Sequence, residues 1–294
     1  MCKRRKKVIT LNRVNFHPVY GVQFIYALRK QDGKLLWRYY VKESVWGDLA
    51  LDKGKVFVRD LTGTLHALDA VSGKALWSIP YDSPSFCNPA IANDMLYFLN
   101  AEDFLYAIST LDGHEVWKVR VNQRDDKETA ENEQSKYQQS TMIFNSDSLL
   151  VAQKHSIVQV DAFDGKELWR FTLDAIEFGT CAVANDMLYV NCKALGDSSK
   201  QSMTIAINLL TKQEVWCFEF NEGSYPKRMA LASNILYVCS EKYLYAVDVT
   251  TGRSLWEHHL LHWQGLQSGE YPFAIGNGAI YIGNVEGKYL CALK

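Results

Sequence analysis

One block of twelve residues, His66-Ala-Leu-Asp-Ala-Val-Ser-Gly-Lys-Ala-Leu-Trp77, decides how this chain folds, because it recurs with little change along most of the sequence. Close copies are Tyr26-Ala-Leu-Arg-Lys-Gln-Asp-Gly-Lys-Leu-Leu-Trp37 and Tyr106-Ala-Ile-Ser-Thr-Leu-Asp-Gly-His-Glu-Val-Trp117. Further copies end at Trp169, Trp216 and Trp256, and a seventh begins at residue 290. The tryptophans are spaced by 40, 40, 52, 47 and 40 residues, which is typical of a repeat protein.

A second repeated block, Pro89-Ala-Ile-Ala-Asn-Asp-Met-Leu-Tyr-Phe98, is echoed at residues 181–190, 229–238 and 273–282. Asn-Asp, Asn-Gly, Asp-Gly and Ser-Gly pairs separate the short apolar runs, as turns separate strands. No stretch keeps a helical period of apolar residues, so few helices are expected. Four antiparallel strands in every ~40 residues predict an all-β fold, a β-propeller of about seven four-stranded blades.

Two positions of the block have clear physical roles. An alanine lies ten residues before the tryptophan in most copies, which indicates a close contact, but Gln159 takes this place in the fourth copy. Lys212 replaces the usual glycine in the fifth copy, which predicts a looser or differently built turn there. Glycine lies four residues before the other tryptophans, where a tight turn needs a positive φ, at Gly33, Gly73, Gly113, Gly165 and Gly252.

The block Ala-x-Asp-x-x-x-Gly-x-x-x-Trp, complete at residues 67–77 and 246–256, resembles the tryptophan-docking repeat of PQQ-like, quinoprotein-type β-propellers. The resemblance covers roughly residues 24–293, and no Trp-Asp dipeptide of the WD40 type occurs. The architecture is also similar to that of the bacterial outer-membrane barrel-assembly lipoprotein family. The resemblance implies that one tryptophan per repeat docks its blade onto the next, at Trp37, Trp77, Trp117, Trp169, Trp216 and Trp256.

The length of 294 residues would allow two domains, but the repeat predicts one propeller domain over residues 13–294. Residues 1–12 form a basic N-terminal segment before it. The last blade lacks a fourth strand in the sequence. We therefore expect residues 8–11 to complete that blade and close the ring, which leaves the first blade one strand short.

The longer insertions are predicted to share one face of the propeller. In an antiparallel blade, the links after the second and fourth strands emerge together, and the insertions at residues 122–137, 193–201 and 261–271 all follow such strands. Insertions often collect on a functional face. This insertion-bearing face is therefore the expected surface for a protein or peptide partner, with Trp263 as a candidate contact. The alternative is that the insertions are tolerated surface loops.

Quinone chemistry is the main catalytic alternative. In the resembled dehydrogenases, PQQ lies on the ring axis beside a calcium ion, an aspartate acts as base, and some members have a disulfide between adjacent cysteines. This chain has no adjacent cysteines. Carboxylates near strand entries, which alone do not define a calcium site, are at Asp48, Glu177, Glu222 and Glu270. The expectation is thus no cofactor, with a PQQ- and calcium-dependent dehydrogenase or a ligand-sensing domain as alternatives.

Other chemistry finds little support in the sequence. No nucleophile-elbow, phosphate-loop or dinucleotide motif occurs, so no catalytic residue is predicted. Three clustered histidines, His258, His259 and His262, alternate along a strand, so at most two can share a metal. The seven cysteines lack metal-ligand spacing. Cys181 and Cys192 face each other across a turn only in one of two registers, so a disulfide between them stays open.

Charge and hydropathy limit the compartment and the partners. The 32 Lys+Arg against 33 Asp+Glu give a net charge of -1, which argues against nucleic-acid binding. No run approaches the ~20 apolar residues of a transmembrane helix, and no apolar stretch of a signal peptide follows the basic start. As it stands, the sequence predicts a cytoplasmic monomer. A truncated start would instead allow the cell envelope or secretion.

Overall fold

The computed structural model shows a chain built of strands, with no helix in the residues that it describes. The described residues are 7–12, 23–42, 45, 49–60, 62–81, 89–122, 141–153, 155–172, 176–194, 202–220, 226, 228–240, 242–260, 273–276, 279–284 and 289–293. The chain divides into two compact units, Met1–Leu149 with Val160–Leu168, and Leu150–Gln159 with Trp169–Lys294. The described strands form seven sheets, and strands pair in the order of the sequence within each sheet.

Three sheets lie entirely within the first unit. The first consists of β1 (Lys7–Asn12), β2 (Gln23–Arg29) and β3 (Leu35–Val41). The second consists of β4 (Ala50–Asp52), β5 (Lys55–Arg59), β6 (Leu65–Asp69) and β7 (Ala75–Ile79). The third consists of β8 (Ala90–Ala92), β9 (Met95–Leu99), β10 (Phe104–Ser109) and β11 (Glu115–Arg120).

The fourth sheet has residues in both units, and the remaining sheets belong to the second unit. The fourth consists of β12 (Thr141–Asn145), β13 (Ser148–Gln153), β14 (Ser156–Asp161) and β15 (Glu167–Thr172). The fifth consists of β16 (Ile176–Ala184), β17 (Met187–Ala194), β18 (Ser202–Asn208) and β19 (Gln213–Glu219). The sixth consists of β20 (Arg228–Ala232), β21 (Ile235–Cys239), β22 (Tyr243–Asp248) and β23 (Ser254–His259). The seventh consists of β24 (Phe273–Gly276), β25 (Ala279–Asn284) and β26 (Tyr289–Leu293).

Tight turns set the register of the strands. The two residues between β8 and β9, Asn93 and Asp94, have φ values of 52° and 62°. Asn185 and Asp186 between β16 and β17 have φ values of 50° and 59°. Two consecutive positive φ values define the type I′ hairpin turn, whose twist matches that of paired strands. The repeated Asn-Asp pair therefore encodes the first hairpin of its sheet.

In the copies that carry it, the aspartate of the repeated block closes the turn between the third and fourth strands. In the second sheet, Asp69 Oδ1 accepts hydrogen bonds from the backbone N–H groups of Val71 and Ser72, at 3.1 and 2.6 Å. The Gly73 N–H then donates to the Asp69 carbonyl at 2.8 Å, and Gly73 has a φ of 71°. The side chain thus satisfies backbone donors that the turn exposes, which explains why aspartate precedes glycine by four residues.

The apolar core lies between successive sheets. In the first unit, Ile25 and Ala27 of β2 pack with Val56 and Val58 of β5. In the second unit, Tyr189 of β17 belongs to one cluster with residues of the sixth sheet. Burial of one such aliphatic side chain contributes about 1.5–3 kcal/mol. A single sheet cannot cover both of its faces, so its stability depends on its neighbours.

The structure corrects the predicted place of residues 8–11. They belong to β1, which pairs antiparallel with β2 from Lys7 opposite Arg29 to Asn12 opposite Phe24. Among the described strands, the seventh sheet contains only β24, β25 and β26. Pairing with β2 closes a link of only ten residues, 13–22, whereas pairing with the last sheet closes a loop of most of the chain. Loop-closure entropy is larger for the longer loop, so it favours pairing of β1 with β2.

We expect that removal of residues 1–12 lowers the melting temperature, because β2 loses its paired neighbour beside the buried Ile25 and Ala27. Each kcal/mol lost corresponds to a decrease of about 2–4 °C for a protein of this size. Removal of residues 1–6 alone keeps β1 and is the matched control. Hydrogen exchange should show lost protection in β2 of the longer deletion. Loss of protection in β26, with β2 unchanged, would contradict the pairing.

Candidate functional site

The repeated tryptophans contact the glycine turns of the following sheet. A Cβ atom built on Gly73 would lie 2.4 Å from the ring of Trp37, and one built on Gly252 would lie 2.6 Å from the ring of Trp216. These distances are too short for any side chain. A Cβ atom on Gly113 would lie 2.9 Å from the ring of Trp77, and one on Gly165 would lie 2.8 Å from the ring of Trp117. Glycine is therefore required here for close approach as well as for its positive φ.

The indole nitrogens add polar contacts to the same places. Nε1 of Trp37, Trp117 and Trp216 donates to the carbonyls of Ala70, Ala162 and Val249, at 3.1, 3.2 and 2.9 Å. Trp77 differs, because its buried Nε1 has no partner among the described residues. The carbonyl at the equivalent position, Thr110, accepts a hydrogen bond from Lys55 Nζ at 2.7 Å instead. These contacts favour the docking role, which stays a prediction for all six tryptophans.

The two departures from the repeat lie together. Lys212 Nζ is 2.5 Å from Gln159 Oε1 and 5.1 Å from the centre of the Trp169 ring. Desolvation lowers the pKa of Lys212 from its ordinary value. A long cation and an amide thus replace the bare glycine and the small alanine of the other copies. The paired change keeps the tryptophan covered by a cation–π contact.

The expectation of a looser turn at Lys212 was wrong. Lys212 has a φ of 63°, and its N–H donates to the Asn208 carbonyl at 2.8 Å. The Gly33 turn has a φ of 68° and the same bond to Arg29 at 2.8 Å. The backbone therefore keeps the glycine geometry despite the strain that a side chain brings at positive φ. The contacts of Nζ with Gln159 and Trp169 offset this strain.

The insertion-bearing end of each sheet is where the links after its second and fourth strands emerge. At this end, Asp60 Oδ1 caps the turn between β5 and β6 by accepting from the N–H groups of Thr62 and Thr64, at 3.0 and 2.9 Å. Asn100 and Ser240 cap the equivalent turns of the third and sixth sheets in the same way. These short polar side chains replace backbone partners. The turns are thereby held by side chains of their own residues.

Each capped turn also holds the end of its own fourth strand. The Tyr81 N–H donates to the Gly63 carbonyl at 3.2 Å, and the Val121 N–H donates to the Asp103 carbonyl at 2.9 Å. In the second unit, the Leu260 N–H donates to the Lys242 carbonyl at 2.7 Å. The insertions at 122–137 and 261–271 start just after such bonds. Rigid turns therefore anchor the variable links.

A stack of aromatic rings and cations joins the second and third sheets near this end. Arg59, only 9% exposed, lies 4.3 Å from the centre of the Phe98 ring, and Phe98 stacks on Tyr106 at 4.8 Å. Burial lowers the pKa of Arg59 to about 10, so the guanidinium stays charged at neutral pH. Tyr81 packs edge-on against both rings at 5.0 and 5.4 Å. The block pattern did not reveal this stack, since its members come from three strands and a link.

The outermost strand of the third sheet, β11, places two cations on the face that carries this stack. Lys118 Nζ lies 4.8 Å from the centre of the Tyr106 ring and 4.3 Å from that of Phe104. The exposed Arg120 lies 5.6 Å from the Phe104 ring and ends β11 at the insertion-bearing end. Aromatic rings restrict such long side chains and keep their charge at one place. The arrangement suits recognition of carboxylates.

Several residues singled out in the sequence lie outside the described part. Trp263 and the greater part of the three insertions are among them. So are Asp48, Glu222, Glu270 and the side chain of Glu177. Within the described ranges, no three His, Cys, Asp or Glu side chains cluster as metal ligands, and no helical segment has the length and apolarity that crossing a bilayer requires.

The structure describes two of the three clustered histidines and the two cysteines for which a disulfide stayed open. His259 lies 4.7 Å from the Tyr243 ring, and the neighbouring His258 is opposite Leu244. Cys181 is opposite Val190 and Cys192 is opposite Phe178, so the two cysteines do not face each other. Burial raises the pKa of Cys239 to about 12 and that of Cys192 well above its ordinary value. These thiols are therefore poor nucleophiles.

The chain has relatives with known names. The family described as outer membrane protein assembly factor BamB matches residues 22–258. The tetrathionate hydrolase of Acidithiobacillus ferrooxidans is 23% identical over 277 residues, which cover 88% of this chain and 53% of that protein. The chain thus spans about half the length of this relative.

Two solved structures are similar to the chain. BamB from Moraxella catarrhalis has a TM-score of 0.72 at 16% identity, with 98% of this chain and 86% of that chain covered. A quinohemoprotein alcohol dehydrogenase from Pseudomonas putida has a TM-score of 0.52 at 14% identity, with 90% and 68% covered. At these identities the likeness concerns the fold alone. It confirms the predicted all-β, propeller-type class and the resemblance to PQQ-like repeat proteins.

Gly73→Ala should destabilise the protein more than Gly33→Ala does. Both glycines have positive φ, so both changes bring a similar backbone cost of about 1–2 kcal/mol. Only Gly73 lies against a tryptophan, whereas no atom lies within 4 Å of a Cβ at Gly33. Overpacking adds about 1–3 kcal/mol. Chemical denaturation measures the difference, and equal losses for both variants would contradict the tryptophan contact.

Gln159→Ala and Lys212→Gly should be coupled, because together they restore the usual pair of the repeat. Each single change removes one partner of the contact over Trp169. The double variant should lose less stability than the sum of the single losses, by about 0.5–3 kcal/mol. Denaturation of the four proteins in the cycle measures this coupling. Strict additivity would show that the two departures are independent.

Proposed function

The chain belongs to the family of the outer membrane protein assembly factor BamB, and from that membership we propose that it is a non-catalytic binding platform for a protein or peptide partner. The fold positions variable links on a constant frame, as binding domains do. The family name associates that factor with outer membrane proteins. For this chain it favours the alternative of a place in the cell envelope over the cytoplasm, which the sequence alone predicts.

The observation that carries the proposal is the capped turn at the insertion-bearing end. The side chains of Asp60, Asn100 and Ser240 each cap a short turn. A carbonyl of each turn accepts a backbone hydrogen bond at the end of the fourth strand, where the next link begins. The frame around the insertions is thus rigid before any partner binds. A preformed frame reduces the entropy that binding must overcome. Insertions attached to it can vary in sequence without loss of the fold.

The partner that fits this end carries carboxylates. Arg120 and Lys118 present their charges beside the insertion at 122–137, and both cations lie over the Phe104 ring. The aromatic support lowers the side-chain entropy lost on binding. Trp263 remains a proposed second contact, since large aromatic residues are frequent among the energetic centres of interfaces. The six docking tryptophans would act only by holding the sheets together.

Glutamate substitutions at the insertion-bearing end test the surface. Thr62 and Arg120 are exposed at this end, and Val71 and Leu111 are exposed at the opposite ends of the same two sheets. Thr62→Glu with Arg120→Glu should reduce recovery of a carboxylate-bearing partner at least about tenfold, or ~1.4 kcal/mol. Val71→Glu with Leu111→Glu is the matched control. Affinity capture followed by mass spectrometry compares the two pairs.

Two outcomes would contradict the platform. Equal partner recovery by both pairs of variants would show that the capped turns do not form the binding surface. Turnover in a dye-coupled assay with added PQQ and calcium, or a stoichiometric quinone complex seen in the absorbance spectrum, would favour the dehydrogenase alternative. Titration of the protein with PQQ and calcium while the melting temperature is followed covers binding without turnover.

A further inference from the structure

Three polar side chains of the second sheet form a hydrogen-bonded row that ends at the protein surface. Ser78 of β7 is exposed, and its Oγ lies 2.9 Å from Nδ1 of His66 on β6. His66 Nε2 lies 3.3 Å from Oδ2 of Asp60, just after β5. His66 and Ser78 are directly opposite each other in the strand register. The exposed fraction of the side chain falls to 12% at His66 and 5% at Asp60.

Asp60 is held as an ionised and oriented group. Its Oδ1 accepts from the N–H groups of Thr62 and Thr64 and from Thr62 Oγ1 at 2.6 Å, which leaves Oδ2 for the imidazole. Burial acts to raise the pKa of Asp60, but the hydrogen bonds from His66, Thr62 and Thr64 outweigh it, so the pKa lies below its ordinary value. The carboxylate is therefore a fixed acceptor at neutral pH.

The position of the carboxylate selects the tautomer of His66. An ionised Asp60 accepts the proton of Nε2–H, so Nδ1 keeps its lone pair on the side of Ser78. The Tyr39 ring packs edge-on against the imidazole at 5.9 Å between centres, and its hydroxyl lies 3.5 Å from Nδ1. These neighbours hold the ring in place. The serine hydroxyl then donates its proton towards Nδ1.

The repeat shows that this row is a departure and not a requirement of the fold. The same opposite positions hold Tyr26 with Arg38 in the first sheet, and Tyr106 with Lys118 in the third. In the sixth sheet they hold Tyr245 with Glu257. These sheets thus form with a tyrosine and a charged residue at the two positions. A histidine and a serine at this pair are therefore not explained by packing.

We propose that Ser78 is an activated nucleophile, with His66 as its general base and Asp60 as the positioning residue, and that it reacts with small activated carboxylic esters. A nucleophile, a base within hydrogen-bond reach and a third group that orients the base are the parts that such chemistry needs. Among the described strands, β7 with Ser78 is the outermost of its sheet and pairs only with β6. The β7 backbone N–H groups that point away from β6 are the proposed donors to an oxyanion. This inference goes beyond the proposed platform and replaces its non-catalytic part. Failure of labelling at Ser78 would leave the binding surface untouched, and failure of partner recovery would leave the labelling untouched.

The reaction is an ordinary acyl transfer. Ser78 Oγ bonds to the ester carbonyl carbon as its proton moves to His66 Nδ1. The tetrahedral intermediate then breaks the bond between that carbon and the leaving oxygen, which takes the proton from His66. Water repeats the sequence on the acyl-serine and releases the acid. With a fluorophosphonate, the phosphorus–fluorine bond breaks instead, fluoride and the proton leave, and a stable phosphonyl-serine remains.

The sequence motifs missed this row for a physical reason. Motif scans detect nucleophiles on sharp turns, whereas Ser78 and His66 are twelve residues apart and meet only through strand pairing. The usable signal was the position in the repeat. His66 stands where Tyr26, Tyr106 and Tyr245 stand in other copies. Comparison between copies is therefore more informative here than comparison with motifs.

A tagged fluorophosphonate and p-nitrophenyl acetate test the proposal on the full chain. The wild-type protein should be labelled at Ser78, as peptide mass spectrometry shows, and should release p-nitrophenol. Ser78→Ala should abolish the labelling. His66→Tyr, which restores the residue of other copies, should slow it about a hundredfold, the usual contribution of a general base. Ser72→Ala is the matched control, because Ser72 is an exposed serine that donates directly to a carboxylate, Asp69.

Asp60→Asn isolates the role of the carboxylate. Asn100 caps the equivalent turn of the third sheet as an amide, so this variant should keep its melting temperature within a few degrees. Labelling should nevertheless slow at least about tenfold, and the 15N shifts of the His66 ring should report a changed tautomer. Label at other residues, or equal labelling rates in His66→Tyr and the wild type, would overturn the proposal. Melting curves identify any variant that has not folded.

Discussion

The face of an indole ring lying on glycine backbone is the contact that links consecutive sheets at Trp37, Trp77, Trp117 and Trp216. Trp37 and Trp216 approach the following sheets so closely that even a methyl group has no room at Gly73 and Gly252. The same glycines need positive φ for their turns. One residue type thus satisfies a dihedral constraint and a packing constraint together. The aspartate four residues earlier holds the turn in the shape that presents the glycine to the ring.

Much of the fold was predictable from sequence, because the same strand and turn signals occur in several copies of the repeat. The third strands, the positive φ of Gly73 and the hairpin at Asn185 and Asp186 were all predictable from turn chemistry and spacing. Prediction failed for an element that has no counterpart in the other repeats and for a position at which one copy departs from the repeat. β1 occurs once, so only loop closure distinguishes its two possible partners. At Lys212 a looser or differently built turn was expected, whereas the turn keeps its geometry and the side chain contacts Gln159 and Trp169.

The candidate site was less predictable than the fold. Spacing and strand direction indicated the insertion-bearing end, but the stack from Arg59 through Phe98 to Tyr106 depends on which residues face each other across sheets. Periodicity alone does not report such contacts. β1 is the second strand of the first sheet, so the link at residues 13–22 follows a second strand, as the insertion at 193–201 does.

The pairing of strands in chain order also bears on how the protein reaches this structure. Each described sheet is made from one continuous stretch of the chain, so its hydrogen bonds form between near neighbours and involve little loop closure. The type I′ hairpins are local and rapid to form. We therefore expect sheets to form one after another as the chain leaves the ribosome. The tryptophan contacts would come later, each when the glycine turn of the next sheet has been synthesised.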